Sequence, residues 1–272
     1  FTLRTHSLDA VFRHDAVPLG AGVRLEGLAG VSGMYQENVF TGLPLIPNFR
    51  ALNGGVFLIE RLLAGDFELE AGARFDLMER ETFLAEPAYL RHLRRQTLSE
   101  GDCEQTDGPA RCPDSFQVGS LTLGGVWHAS RELTVRLDLS SASRFPTMDE
   151  QFLNGTAPSF AVFGLGRPAL DPETSYSLSG TLTFESEVLS AEASAYGSYI
   201  DDYIYFAPER NAEGEPVVDV LVAGAFPRFS YQAVDAVFWG ADGAAAVRIG
   251  AFELGVDGAV VRARDVQNDA FL

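Results

Sequence analysis

Apolar and polar residues alternate one by one along much of the chain, and this alternation predicts β-strands. The clearest apolar series are Phe67, Leu69, Phe75, Leu133, Val135, Leu137 and Leu139, and the charged residues between them include Glu68, Glu70, Arg74, Arg136 and Asp138. A period of two gives a strand one apolar face and one wet face. We predict about ten such strands, with the apolar series facing lipid and the charged series facing a lumen.

The connections between these strands alternate between short and long. Tight turns are predicted at 14–20, 64–66, 129–131, 186–188 and 250–251, and long polar loops at 36–50, 79–115, 144–173 and 206–229. Short turns at one end and long loops at the other are typical of bacterial outer-membrane barrels. The predicted fold is therefore all-β, an antiparallel up-and-down transmembrane β-barrel segment of about ten strands.

A soluble β-sandwich gives the same alternation and is the alternative fold. Sandwich strands contain about five or six residues, whereas the alternating segments here run for about ten to fifteen. A tilted strand of about ten residues crosses a bilayer. Strand length and the unequal ends favour the membrane barrel over the sandwich.

The net charge and the mean hydropathy exclude some classes of function and of fold. The 272 residues carry a formal net charge of -18 at pH 7, and nucleic-acid binding requires a basic surface instead. Mean hydropathy is +0.04, as expected where apolar and polar residues interleave. No run of about 18 apolar residues occurs, so no transmembrane helix is predicted.

The two cysteines, Cys103 and Cys112, lie close together in the polar loop 79–115. Their spacing predicts a local disulfide and an oxidising compartment. Metal ligation is a weaker alternative because one cysteine pair without a loop histidine is a poor zinc site. A pair of free thiols is the remaining alternative.

The first residues resemble the start of a strand and contain no signal peptide. The last residues resemble the start of another long loop. We therefore expect the chain to be a fragment of a longer protein.

Three segments resemble the barrel of TonB-dependent outer-membrane receptors. Residues 143–155 resemble the family's Arg-x-Pro-x-x-x-Glu-x-(aromatic)-x-x-Gly segment, and residues 166–175 its Gly-Asn-Pro-x-Leu-x-Pro-Glu-x-Ser segment. Residues 195–205 are similar to its Phe-x-x-x-Ile-x-Asp-Tyr-Ile strand. The residues that match the first two segments are Arg144, Pro146, Glu150, Gly155, Pro168, Leu170 and Glu173.

The resemblance implies that residues 1–272 are part of a larger barrel, of the type with about 22 strands. The family's plug domain and the C-terminal part of the barrel would then lie outside this chain. The implied location is the outer membrane. The implied partners are a TonB-type energy-transducing complex, reached through the plug, outer-membrane lipid and a metal-chelate ligand. No cofactor, catalytic residue or metal ligand is implied.

The substrate prediction rests on histidines and on the segment between the two matched motifs. Residues 154–165 contain no histidine, and none follows His128, which puts haem or zinc ligation in doubt. We expect all four histidines, His6, His14, His92 and His128, to lie at the surface. The candidates for a ligand vestibule are Arg144, Asn154, Phe160 and Phe163, with ordinary loop packing as the alternative.

The resulting hypothesis is a TonB-dependent receptor that imports a scarce nutrient, above all a ferric siderophore or a similar metal chelate. A passive outer-membrane porin and a soluble extracellular β adhesion module are the alternatives. An enzyme is not expected, because the sequence has no nucleophile elbow, phosphate-binding glycine loop or metal-ligand cluster.

Overall fold

A computed structural model describes residues 2–42, 45–156, 161–268 and 270–271. Its elements are β1 (Thr2–Gly20), β2 (Val23–Val39), β3 (Asn48–Ala64), β4 (Phe67–Leu84), α1 (Glu86–Arg94), β5 (Ala110–His128), β6 (Leu133–Arg144), α2 (Met148–Phe152), β7 (Asn154–Thr156), β8 (Phe163–Leu165), β9 (Glu173–Glu185), β10 (Leu189–Pro208), β11 (Val218–Leu221), β12 (Gly224–Ile249), β13 (Phe252–Asp265) and β14 (Ala270–Phe271). Ten of these strands are long, as predicted, with 12 to 26 residues each.

The long strands form one continuous sheet, in the order β1-β2-β3-β4-β5-β6-β9-β10-β12-β13. Each pairs antiparallel with the next long strand along the chain. Among the described residues, the parallel pairing is confined to β8 against β12, over three residues. The predicted antiparallel up-and-down arrangement is confirmed.

One face of the sheet is apolar and exposed. Leu123 of β5, Leu139 of β6 and Leu178 of β9 lie side by side across three strands, and each is about half exposed. Near the turns the rings of Phe67 and Trp127 stack at 5.9 Å. Leucines are normally buried in soluble proteins. In the part of the chain that the structure describes, no second sheet covers them, so the sandwich alternative does not fit.

The opposite face carries the polar residues of the same strands and is called the charged face below. Arg74 pairs with Asp76 at 2.6 Å and donates to Ser32 two strands away. Arg136 pairs with Asp138 at 2.7 Å. Alternation therefore places the two predicted series on opposite sides of one wall.

The tyrosines of β10 do not share one face. Tyr199 is opposite Tyr176 on the exposed apolar face, whereas Tyr203 packs edge-on against Phe238 of the charged face at 5.2 Å. A register shift between Ile200 and Tyr203 separates them. A bulge in β10 reorients its tyrosines, which strict alternation does not predict.

The first predicted turn, at 14–20, is wrong in position. Strand β1 continues to Gly20, and the chain reverses at Ala21–Gly22, both with positive φ. A register shift between His14 and Val17 absorbs the polar residues that indicated a turn. A bulge accommodates such residues without ending the strand. The other turns lie at 65–66, 129–132, 186–188 and 250–251, as predicted.

The long loops are shorter than predicted, because the strands extend into them to 39, 84, 144 and 208. The loops carry the helices α1 and α2, and these pack on the loop end of the charged face. The buried cluster there comprises Phe49, Ala51, Leu84, Tyr89, Leu98, Cys103, Ala110, Cys112, Met148 and Phe152. None of the described helices has the length and hydropathy needed to cross a bilayer.

Candidate functional site

Arg144, the last residue of β6, joins the two matched segments through ion pairs. Its Nη1 and Nη2 donate to the Glu150 carboxylate, both at 3.0 Å. Its Nε and Nη2 donate to Glu173 at 3.2 and 3.0 Å. The planar guanidinium suits such forked contacts, which lysine could not reproduce. This arrangement explains why arginine and two glutamates occur at these three positions.

Both carboxylates are held in place by backbone groups. Glu150 accepts from the amide of Thr147 at 2.7 Å, which closes a capping box at the start of α2. Glu173 accepts from the amide of Ile204 on β10 at 3.0 Å. Ligand contact by Arg144 would require one of its ion pairs to open, so its role in the vestibule stays a prediction.

A second polar network lies beneath the same loop. Arg80 of β4 donates to the carbonyl of Pro146 and pairs with Asp114 of β5, both at 3.1 Å. Gln151 of α2 donates to Asp114 and to the carbonyl of Pro168, at 3.1 and 2.7 Å. Pro146 therefore supplies a carbonyl acceptor to Arg80 of the wall, and Pro168 supplies one to Gln151 of α2.

Two further motif residues shape the loop. Gly155 has a φ of +152°, which an L-residue with a side chain rarely adopts. Leu170 is buried and anchors the chain before β9. The matched residues thus hold the described parts of this loop, 145–156 and 161–172, against the loop end of the wall.

The predicted vestibule residues are only partly brought together. Asn154 and Phe163 lie on the small hairpin of β7 and β8, where Asn154 is opposite Leu165 and Phe163 is opposite Thr156. Phe160 lies outside the described residues. Arg144 contacts the two glutamates instead of this hairpin.

Helix α1 contributes residues that the sequence analysis missed. His92, expected at the surface, is fully buried, and its ring meets Phe152 edge-on at 6.2 Å. Tyr89 and His92 face inward together, because residues three apart share a side of a helix. That spacing, followed by Leu93, was the available signal. In contrast, His6 and His128 are exposed as expected.

Several buried polar atoms of α1, of Arg95 just after it and of Asn154 in β7 have no hydrogen-bond partner. The unpaired buried atoms are Nε of Arg91, Nε2 of His92, Nε of Arg95, and both Nδ2 and Oδ1 of Asn154. Leaving a buried polar group unpaired costs roughly 1–3 kcal/mol. Each of these atoms would be stabilised by a hydrogen-bonding partner of its own.

The positive charge around α1 comes from its arginines and not from His92. Burial, and after it repulsion from Arg91 and Arg95, lowers the pKa of His92 to about 4, so His92 is neutral near pH 7. Its Nδ1 lies 2.8 Å from Thr97 Oγ1. That hydroxyl donates to the His92 carbonyl, so Nδ1 carries the ring hydrogen and Nε2 has a free lone pair.

Ion pairs connect α1 to the loop 209–223. Asp219 of β11 accepts from Arg95 at 2.9 Å and from Arg228 of β12 at 2.7 Å. Arg228 also pairs with Glu209 at 3.2 Å. The hydrogen bond from Arg228, together with Arg95, holds the pKa of Asp219 below its usual value. Arg95 also lies over the Phe163 ring at 4.7 Å, a favourable cation–π distance.

Cys103 and Cys112 are bonded to each other, with Cα atoms 4.2 Å apart. Both are buried in the loop-end cluster, and the bond ties the loop 85–109 to β5. Neither cysteine is thus a free thiol or a metal ligand. Within the described ranges, no group of three or more His, Cys, Asp or Glu residues is placed to hold a metal ion.

Comparison with known proteins agrees with this architecture. The family described as "TonB dependent receptor-like, beta-barrel" matches residues 6–271. Similar solved structures include the copper transporter OprC (TM-score 0.69, 19% identity). They also include the Serratia marcescens hemophore receptor HasR (0.69, 18%) and the FrpB iron transporter from Neisseria meningitidis (0.59, 15%).

These matches cover 99%, 97% and 99% of this chain, but only 39%, 42% and 37% of the respective structures. The chain thus spans about two fifths of their length. The family consists of receptors and transporters that bind ligands and work with a TonB complex. From its match over almost its whole length, the chain belongs to the TonB-dependent receptors, outer-membrane proteins of Gram-negative bacteria.

Proposed function

We propose that the whole protein imports a scarce metal chelate, above all a ferric siderophore, by TonB-dependent transport. The observation that carries this proposal is the convergence of the long loops at one end of the wall. There α1 and α2 share a buried cluster. Ion pairs join Arg95, just after α1, to Asp219 of β11, and Glu150 of α2 to Arg144 at the end of β6. Convergent loops supply the ligand-binding surface that a bare wall lacks.

The chemistry of the loop end favours a chelate over a bare metal ion. Bare copper and zinc ions are bound by sets of histidine, cysteine and carboxylate ligands. Here the sulfurs of Cys103 and Cys112 are bonded to each other, and His92 is enclosed. A ligand that carries its own metal-binding groups needs only recognition of its outer surface. The structural relatives include copper and iron transporters and a hemophore receptor, so they do not decide among substrates.

The proposed partners follow from the two faces of the wall. Outer-membrane lipid covers the apolar face. A plug elsewhere in the longer protein faces the charged one and contacts the TonB-type complex, and 1–272 forms part of the barrel. The protein performs no reaction on its substrate, because binding and gated passage suffice for import.

The test is uptake of radioactive ferric chelates by cells that produce the full-length protein, with and without an uncoupler. A TonB-dependent receptor loses uptake when the proton-motive force is removed, while surface binding persists. Cells lacking the gene supply the background. Uptake that continues unchanged with the uncoupler would indicate a passive porin, and neither binding nor uptake of any chelate would favour an adhesion module.

A further inference from the structure

A cavity of about 380 Å³ lies at the loop end of the charged face. We call it the rim cavity and define it by Leu3 of β1, Asn38 of β2, Phe49 of β3 and Met148 of α2. Asn38 is opposite Leu3 in one ladder and opposite Phe49 in the next, so these three side chains share a face. Phe49 and Met148 also belong to the buried loop-end cluster. The rim cavity therefore continues that cluster toward β1.

The walls of the rim cavity are almost entirely apolar. Phe40 and Ile46, from the loop between β2 and β3, contribute to them, and no charged side chain of the described residues lines the cavity. Its volume exceeds the roughly 150 Å³ of a cavity that holds one benzene molecule and falls within the range of small-molecule sites. A ring-sized apolar group therefore fits, whereas a charged group would lose its hydration without gaining a partner.

One buried polar atom of the rim cavity has no partner. Asn38 is only 6% exposed. Its Nδ2 donates to the carbonyl of Pro47 at 3.2 Å, while its Oδ1 is buried without a hydrogen bond. The opposite orientation of the amide would set Oδ1 against the Pro47 carbonyl oxygen, so the free group is the acceptor. The other lining amide, Gln36, donates to Thr5 at 3.2 Å. A ligand that brings a donor would thus satisfy the one unpaired acceptor.

We propose that the rim cavity binds a neutral, ring-sized apolar group of the imported chelate, whose N–H or O–H group donates a hydrogen bond to Asn38 Oδ1. This inference rests on the proposed function and adds a chemical class to its ligand. The apolar walls favour binding because they remove apolar surface from water. The buried acceptor selects for a donor, because an analogue without one leaves the acceptor unpaired.

The experiment measures binding of radioactive indole, and of benzofuran as its competitor, to the full-length protein in lipid nanodiscs by equilibrium dialysis. Empty nanodiscs give the amount that dissolves in the lipid. The two molecules have the same shape, but benzofuran carries an oxygen acceptor in place of the indole N–H donor. We expect wild type to bind indole at least about fivefold more tightly than benzofuran, the effect of one neutral hydrogen bond.

The acceptor is tested by Asn38→Ala, with Asn48→Ala as its matched control. Asn48 anchors the same loop through two hydrogen bonds to the backbone of Phe40 but does not line the cavity. Asn38→Ala should weaken indole binding and reduce the preference for indole to less than about twofold. Asn48→Ala should retain the preference, whatever it does to the loop. Equal loss of the preference in both variants would show that Asn38 only holds the loop, and would overturn the proposal.

The cavity itself is tested by filling it. Leu3→Trp fills the rim cavity from β1 and should abolish indole binding above that of empty nanodiscs. Leu8→Trp, five residues along the same strand and therefore on its other face, should leave indole binding unchanged. Binding that survives Leu3→Trp would overturn the proposal. No specific binding by wild type would also overturn it, and this is the result expected if the plug already fills the cavity.

The two proposals fail separately. A protein that binds indole through Asn38 but imports no chelate retains the rim cavity as a binding site and loses the transport function. A protein that imports a chelate by the proton-motive force but does not bind indole retains the transport function and loses this site.

Discussion

The two ends of the same strands are built differently. At the turn end, reversals such as Ala21–Gly22 and 65–66 need two residues and add little beyond the backbone ladder. At the loop end, two helices, a disulfide and several ion pairs enclose a buried cluster. The wall is therefore held by its ladders, whereas the loop end is a small packed assembly that can open by itself.

An arginine placed on the apolar face should destabilise the wall more than any change in the loops does. Leu137 is half exposed on the apolar face close to the middle of β6. Leu137→Arg should destabilise the barrel by up to about 4 kcal/mol, the effect of arginine at the bilayer midplane. Urea unfolding of the full-length protein in lipid vesicles measures this loss of stability.

The matched control is Ser140→Arg, on the charged face of the same strand, where the arginine remains in a polar environment. Equal destabilisation by the two changes would contradict the assignment of the faces. Hydrogen exchange in the loop 145–172 should remain as in wild type for both variants.

Arg144→Ala should open the loop end while leaving the wall intact. The change leaves Glu150 and Glu173, both mostly buried, facing each other without a cation. The cost is roughly 3 kcal/mol, below the maximum for buried pairs because the guanidinium is two-fifths exposed. Hydrogen-exchange mass spectrometry should show faster exchange in 145–172. The control, Arg131→Ala in a turn, should change nothing, and unchanged protection in Arg144→Ala would refute the anchoring role.

Removing the disulfide should loosen the loop 85–109 only. Closing a loop of about ten residues contributes about 2–3 kcal/mol in the chain-entropy account. The double change Cys103→Ser with Cys112→Ser is expected to speed proteolysis within 85–109. Mild reduction of wild type should give the same pattern, and accelerated cleavage across the β1–β2 turn would show that the two ends are not independent.

Acidification should weaken the packing of α1 on the loop end, by a smaller free energy than the changes above. The docked His92 has a pKa of about 4 against an ordinary 6.5, so the undocked loop takes up a proton first as the pH falls. Docking is fully stable above pH 6.5 and weakens below it, by about 1.4 kcal/mol near pH 5.5. Asp219, whose pKa is lowered, adds a further loss only near and below its ordinary value of 3.8.

Hydrogen exchange in 85–109, measured from pH 7 to pH 5 with correction for intrinsic rates, tests this dependence. His92→Asn removes the titrating group and should abolish it. A wild-type protein whose corrected protection is constant over this range would show that His92 is not enclosed in solution.

The sequence predicted the wall better than the loop end, for a physical reason. Alternation in strands such as β4 and β6 is local, and each residue's face follows from its position. The Cys103–Cys112 bond was also accessible, because both cysteines lie in one short loop. The burial of His92 had only the spacing from Tyr89 to His92 as a local signal, because its contact with Phe152 joins residues distant in the chain that folding brings close.

The same limit applies to Arg144. Its motif indicated importance, but the sequence could not show that its donors are taken by Glu150 and Glu173. The parallel pairing of β8 with β12 likewise joins segments far apart in the chain. Contacts of this kind depend on loop closure, which carries no periodic signal.

Hydrogen exchange of the full-length protein, with and without the ferric chelate that supports its uptake, tests most directly whether the loop end captures the ligand. We predict added protection in 85–109, 145–172 and 209–223, with no change in the turns at 21–22, 65–66 and 250–251. Protection at the turns, or unchanged loops under saturating chelate, would contradict the claim that the loop end captures the ligand.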